Sequence, residues 1–280
     1  MNSNRKIVLV TGSNKGIGYG IVEILLEKKS KYIVILTSRN ESLGKNAYNK
    51  LLTRFPYSKN NFYYHQLDIT NKESISNLIS WLKVQFGKID CLVNNAGYGP
   101  YASRSEINVH MTCLKINVFG TIYFTEEIIR NNMINRSGKI ILVGSLAGCL
   151  RYLSSNKLRK DFKNATTTQD LLNLANDYKN SFLKGTERND GWCSKSYYVS
   201  KMIINSYPRI LSYRKEIQDN DISVYSIHPG WVQTEMGGWG APLTYKQGAE
   251  CEVFLIELPD GINGKYQGKF FDRFTLSSFD

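Results

Sequence analysis

The stretch that decides the fold is Lys6-Ile-Val-Leu-Val-Thr-Gly-Ser-Asn-Lys-Gly-Ile-Gly18. Lys6–Val10 is a short apolar run, as expected of a strand buried on both faces of a parallel sheet. A glycine loop over residues 11–18 follows it. Ile17, Ile21, Ile24 and Leu25 then recur at helical spacing. Strand, glycine turn and helix in that order put free N–H groups and a positive helix end where a pyrophosphate can sit. Gly12, Asn14, Lys15, Gly16, Ile17 and Gly18 are the candidate contacts. The spacing is Gly-x-x-x-Gly-x-Gly, and it lacks the Gly-Lys-Ser/Thr that closes a P-loop. A tight turn with no ligand is the alternative.

Outward from this unit the alternation continues. A second strand, Tyr32-Ile-Val-Ile-Leu-Thr37, ends in Ser38-Arg39-Asn40. A dinucleotide site selective for NAD usually has an acid at that strand end, whereas a ribose phosphate needs cations. Arg39, joined by Lys15, therefore points to NADP(H); a solvated strand-end charge is the other reading of Arg39. A helix near 42–54, a strand over 61–67 and a helix over 71–86 come next, the last with Ile75, Leu78, Ile79 and Leu82 on one stripe. Asp68, followed by Ile69, lies at a strand end, where it can accept from an adenine amino group or cap a helix. Ile89–Val93 runs into Asn94-Asn95-Ala96-Gly97, small and amide residues that let a flat ring approach the backbone.

Near the other end, Tyr197 and Lys201 stand four apart in Ser194-Lys-Ser-Tyr-Tyr-Val-Ser-Lys-Met202. On a helix they are neighbours. An adjacent ammonium favours phenolate, so Tyr197 can give up a proton more readily than a free phenol.

Taken together, Thr11-Gly-x-x-x-Gly-x-Gly18, Asn94-Asn-Ala-Gly97, a serine after the fifth strand and Tyr197-x-x-x-Lys201 resemble the short-chain dehydrogenase/reductase family. The resemblance spans nearly the whole chain. It implies a Rossmann-type α/β fold, a doubly wound parallel sheet with helices on both faces. It also implies that Asn117, in a helix expected over 105–131, keeps a water beside the lysine, and that Ser145 holds a substrate carbonyl oxygen. Pro229, Gly230, Val232 and Thr234 match the family's nicotinamide-binding turn. With Tyr197 and Lys201 these complete the expected cofactor contacts. The implied activity is NADPH-dependent reduction of ketones, aldehydes and quinones to alcohols. An NADP-dependent alcohol or steroid dehydrogenase of the same fold, or a non-catalytic NADPH-binding regulator, is the alternative.

Fifty-two positions separate Ser145 from Tyr197. A structureless loop of that length is uncommon, so helices are expected within about 151–195. Thr167-Thr-Gln-Asp170 reads as a capping box ahead of Leu171, Leu174, Tyr178 and Phe182, and a short helix is expected near 158–162. This insertion and Gly191-Trp192 resemble the carbonyl reductase subgroup, with the plant menthone and salutaridine reductases. That subgroup is mostly monomeric, so a monomer is expected. Where those reductases often have a thiol before the Pro-Gly turn, this chain has His228, for which packing or ring stacking is expected. Met236–Pro242 is expected to form a flap lined by Trp231 and Trp239. A helix over 244–256 and a strand near 268–271 are expected to finish the sheet.

Composition bounds the rest. The 280 residues are 42% hydrophobic and 12% aromatic, which argues for one globular domain over 1–280 rather than disorder; the resemblance implies that this single domain binds NADP. Met1–Lys6 enters the first strand without a signal-like core, and no apolar run is long enough to span a bilayer, so a cytoplasmic protein without membrane partners is expected. The five cysteines are odd in number and scattered, so reduced thiols and no metal site are expected. The net charge of +12 is spread along the chain without a basic block interleaved with aromatics, so no nucleic-acid partner is expected.

Overall fold

A computed structural model describes residues 5–99, 103–259 and 263–280. Met1–Asn4, part of the Met1–Lys6 stretch read above, lies outside the described residues. The first half alternates strand and helix: β1 (Lys6–Val10), α1 (Gly16–Glu27), β2 (Tyr32–Ser38), α2 (Glu41–Arg54), β3 (Phe62–Gln66), α3 (Lys72–Gln85) and β4 (Ile89–Asn94). Then come α4 (Ile107–Leu114), a π-helical turn (Lys115–Gly120), α5 (Thr121–Arg130) and β5 (Ile134–Val143). The long segment before Tyr197 holds α6 (Asn156–Asn164) and α7 (Thr168–Lys184). It leads into α8 (Ser196–Ser212), α9 (Lys215–Asp219), β6 (Ser223–His228), α10 (Tyr245–Glu257), α11 (Asn263–Tyr266), β7 (Phe270–Asp272) and β8 (Thr275–Ser277).

The strand order is β3-β2-β1-β4-β5-β6-β7-β8. Every pairing is parallel except β7 with β8, which is antiparallel. The order reverses between β1 and β4, and open α/β sheets bind ligands beyond the strand ends at such a reversal. Both faces are covered. One apolar cluster joins α3, α5, α7 and α8, and the other joins α1, α2 and α10. The central strands are accordingly apolar on successive residues, as two-sided burial requires.

Two elements differ from the sequence expectation and one expected feature is found. The helix expected over 105–131 is two helices joined by the π turn that contains Asn117. The sheet gains β8, a three-residue exposed strand with no apolar alternation to announce it. The capping box is present: Thr167 Oγ1 accepts from the Asp170 backbone N–H at 3.1 Å and Asp170 accepts in return from Thr167 at 2.8 Å.

Candidate active site

The glycine loop is built against the strand end beside it. Gly12 has φ +61°, and a Cβ there would lie 2.8 Å from Ala96 Cα. A Cβ on Gly18 would meet the Asn95 amide at 2.4 Å. Only glycine lets the two segments approach this closely. Asn95 fixes the approach by donating from Nδ2 to the carbonyls of Thr11 at 2.8 Å and Gly12 at 3.1 Å. The Thr11 hydroxyl accepts from the backbone N–H groups of Asn95 at 3.0 Å and Ala96 at 2.9 Å. The side chain of Asn94, which the sequence reading named as a contact along with Ala96 and Gly97, instead donates to Thr125 Oγ1 at 3.0 Å. Strand alternation explains this, since Asn94 shares its face with Leu92, toward α5.

At the opposite side of the loop, a Cβ on Gly16 would lie 3.2 Å from Thr234 Cγ2. Pro229 is buried, Val232 is bridged to Leu243, and Gly230 has φ +91°. Asn14 lies in the turn between β1 and α1, and Ile17 is in the first turn of α1. The cations expected for a ribose phosphate are unequal. Arg39 is exposed, with no ion pair for its guanidinium among the described residues. Lys15 is paired with Glu235, both largely exposed. Asp68 Oδ1 accepts from both the N–H and the hydroxyl of Thr70, at 2.8 Å each, and so closes the turn that precedes α3. Neighbouring Ile69 is buried. The cap of α3 is Asn71.

Tyr197 and Lys201 face the same way. The Lys201 ammonium is 5.7 Å from the centre of the Tyr197 ring. It donates to Val143 O at 2.7 Å, which brings it to the end of β5, two residues before Ser145. Lys201 is buried, and that desolvation draws its pKa down to about 8. Asn205, one turn further along α8, fixes the serine loop. Its amide donates to Ser145 O at 2.9 Å and accepts from Ser145 N–H at 3.3 Å. Ser145 Oγ accepts from Ala147 N–H at 3.1 Å and retains a proton to donate.

Asn117 closes the other side. Its Oδ1 accepts from Tyr98 N–H at 2.7 Å, and its Nδ2 donates to Tyr98 O at 2.8 Å and Ser200 Oγ at 3.0 Å. Ser200 Oγ in turn donates to Tyr197 O at 2.7 Å. The Asn117 amide is thus spent on protein groups that hold the backbone around the phenol. The π turn sets its position, and such turns occur often at functional sites. Next to Tyr98, a Cβ on Gly99 would stand 2.8 Å from both Tyr197 Cε2 and Met236 Sδ.

The segment after Gly230 folds over this point. Gln233 N–H donates to Leu243 O at 2.7 Å and Trp231 Nε1 to Gly237 O at 2.7 Å. Its lining differs from expectation. Trp231 and Trp239 are 57% and 85% exposed, while Met236 reaches toward the phenol. His228 Nδ1 is buried without a hydrogen-bond partner among the described residues, and burial draws its pKa down to about 4, leaving it neutral.

The short chain dehydrogenase family model matches residues 6–156. The chain belongs to the short-chain dehydrogenase family. It is an oxidoreductase acting on CH–OH or carbonyl groups, as that membership and its carbonyl reductase relatives indicate. It is 34% identical to carbonyl reductase [NADPH] 1 of Rattus norvegicus, over 96% of this chain and 97% of that one. It is 30% identical to (+)-neomenthol dehydrogenase of Arabidopsis thaliana, over 98% of each. Among solved structures, salutaridine reductase from Papaver somniferum superposes with a TM-score of 0.84 at 29% identity, over 96% of this chain and 99% of that one. The family match ends at residue 156, so the stretch carrying Tyr197 and Lys201 rests on these full-length likenesses.

Sequence reasoning missed Asn95, Asn205, Ser200 and Met236. Two of them carried a signal: Asn205 is an amide inside a helix one turn from Lys201, and Asn95 is the second of two adjacent amides at a strand end. Among the described residues no group of His, Cys, Asp and Glu could hold a metal. No helix of the described residues is long and apolar enough to cross a membrane.

Proposed function

We propose that this short-chain dehydrogenase is an NADPH-dependent reductase of ketones, aldehydes and quinones, with Tyr197 as the general acid. The observation that carries the reading is the Lys201 ammonium beside the Tyr197 ring and bonded to the strand end that leads to Ser145. The similarity to a carbonyl reductase [NADPH] supports the choice of cofactor and substrate class.

The glycine loop fits a dinucleotide. At Gly12 and Gly18 a Cβ would fill the cradle, and the N-terminus of α1 offers free N–H groups. Gly12, Asn14, Gly16, Ile17 and Gly18 would hold the pyrophosphate, and Asp68 with Ile69 the adenine. Ala96, Gly97, Pro229, Gly230, Val232 and Thr234 would hold the nicotinamide side, and Lys15 and Arg39 a ribose phosphate. When bound, the cofactor supplies the hydride.

Ser145 and Tyr197 bond the substrate carbonyl oxygen through their hydroxyl protons. As negative charge develops there, Tyr197 transfers its proton to that oxygen. Lys201 stabilises the phenolate that remains, and Asn117 with Ser200 holds the tyrosine's backbone in place. The reading includes a single domain and a monomer; what supports it is that α7 of the inserted segment buries Leu171, Leu174, Tyr178 and Phe182 in the cluster that includes α8. A soluble cytoplasmic location, with no nucleic-acid partner, completes the reading. The test is a panel of carbonyl compounds followed by NADPH absorbance; turnover of none of them by folded protein would reject it.

A further inference from the structure

Beside Ser145 and Tyr197 lies a charged aromatic cluster that the proton transfer does not use. Ser145 leads into two 3-10 turns, Leu146–Gly148 and Leu150–Tyr152, which run along α8. A Cβ on Gly148 would stand 2.4 Å from the Lys201 carbonyl carbon, and Asn205 Nδ2 donates to Gly148 O at 3.3 Å. At the end of the second turn the Tyr152 ring meets the Tyr198 ring edge to face, with centres 5.0 Å apart. Tyr198 directly follows Tyr197, so its Cα is about 3.8 Å from that of the proposed acid. The chain on either side is fastened as well, since Ser154 N–H donates to Gly191 O at 3.0 Å.

A cation stands over each of these rings. The Arg151 guanidinium is 5.2 Å from the centre of the Tyr152 ring, and the Lys195 ammonium is 5.4 Å from that of Tyr198. Both side chains are exposed, and neither makes an ion pair among the described residues. A ring face holds a cation without occupying its N–H donors, which stay available to a ligand. Lys195 is two residues before Tyr197, at most about 7 Å along the chain. An acid also lies on this side: Asp272, at the end of β7, is like Arg151 within electrostatic reach of the Cys149 thiol. It has its own cation, Arg273, whose Nε is 3.6 Å from Asp272 Oδ1. The surface beside the two reacting hydroxyls is therefore cationic and aromatic together.

We propose that Arg151 and Lys195, held over Tyr152 and Tyr198, form an anion subsite, and that the preferred substrates are carbonyl compounds bearing a carboxylate several bonds from the reacting carbonyl. The inference rests on the reductase reading of Ser145 and Tyr197. With the carbonyl oxygen between those hydroxyls, the rest of the substrate extends over the tyrosine pair, and its carboxylate accepts from the guanidinium or the ammonium. Neither cation touches the reacting atoms. Their attraction is the same before and during hydride transfer, so it lowers KM and leaves kcat alone.

The experiment measures kcat and KM for phenyl ketones with an ω-carboxylate on the alkyl chain, each against its methyl ester. Wild type is compared with Arg151→Gln, Lys195→Gln, the double variant, and a control, Lys50→Gln with Lys59→Gln, at the other edge of the sheet. In wild type the acid should have a KM roughly tenfold below that of the ester at low salt. Exposed charges are screened, so at about 0.5 M salt the gap should narrow to about twofold or less. Each single variant should lose part of the preference and the double variant all of it, with the ester's kcat and KM unchanged and the control like wild type. Equal KM for acid and ester in wild type, or a preference that survives the double variant, would overturn the subsite. So would an equal loss in the control, which would trace the preference to the overall charge of +12. Turnover of neither acid nor ester by wild type would instead defeat the reductase reading.

Discussion

Lys201 reaches past Tyr197 to a strand end: its ammonium lies 5.7 Å from the phenol ring centre and donates to Val143 O at 2.7 Å. One buried cation thereby ties α8 to β5 and sets a positive charge beside the proposed acid. Burial lowers the pKa of Lys201 to about 8, so the ligand-free protein loses this charge as pH rises through that value. The kcat/KM for carbonyl reduction, which reports free-enzyme groups, should fall above about pH 8. Lys201→Arg, which stays charged, should move that limb to higher pH. A profile flat to pH 10 in the parent would contradict the assignment.

Asn95 joins the glycine loop to β4 with two hydrogen bonds. Asn95→Ala removes both, at about 1 kcal/mol each. If the whole loss falls on the cradle, NADPH affinity should weaken roughly 30-fold, read by titration of protein fluorescence. An affinity within twofold of the parent's would show that the loop holds its shape without the amide.

Lys15 is already engaged by Glu235. Glu235→Gln should free it and tighten NADPH binding while leaving NADH binding unchanged. Lys15→Ala with Arg39→Asp should move the preference toward NADH. If the ratio of the two affinities is the same in all three proteins, the phosphate site lies elsewhere.

Glu252, in α10, is wholly buried, and both carboxylate oxygens lack a hydrogen-bond partner among the described residues. Desolvation raises its pKa to about 8. The folded chain therefore holds a proton that the unfolded chain releases near pH 4.5, and stability falls as pH rises from about 4.5 through 8. Glu252→Gln, which carries no charge at any of these pH values, should raise Tm by about 3 °C or more at pH 8 and little at pH 5. A gain of the same size at both pH values would mean that the carboxyl is not the source.

The regular parts of the fold were legible because they rest on local chemistry. The apolar run of β1, the stripe of Ile75, Leu78, Ile79 and Leu82, and the capping box at Thr167 are each specified within a few residues. What escaped depends on partners distant in the chain. The π turn at Asn117 has no short-range mark, and β8 pairs only because β7 is already in place. The turn of Asn94 toward Thr125 follows from strand alternation, but only once the limits of β4 are known. The Lys15–Glu235 pair joins positions 220 residues apart. Met236, not the exposed tryptophans, faces the phenol because the flap folds back through Trp231 Nε1 and Gly237 O.

The central claim is that Tyr197 delivers the proton. Tyr197→Phe removes one oxygen and keeps the ring that packs against Gly99 and Met236. With NADPH and a carbonyl compound that the parent protein reduces, the variant should lose about 100-fold or more in kcat while binding NADPH as the parent does. Reduction at the parent's rate by the folded variant would contradict the account.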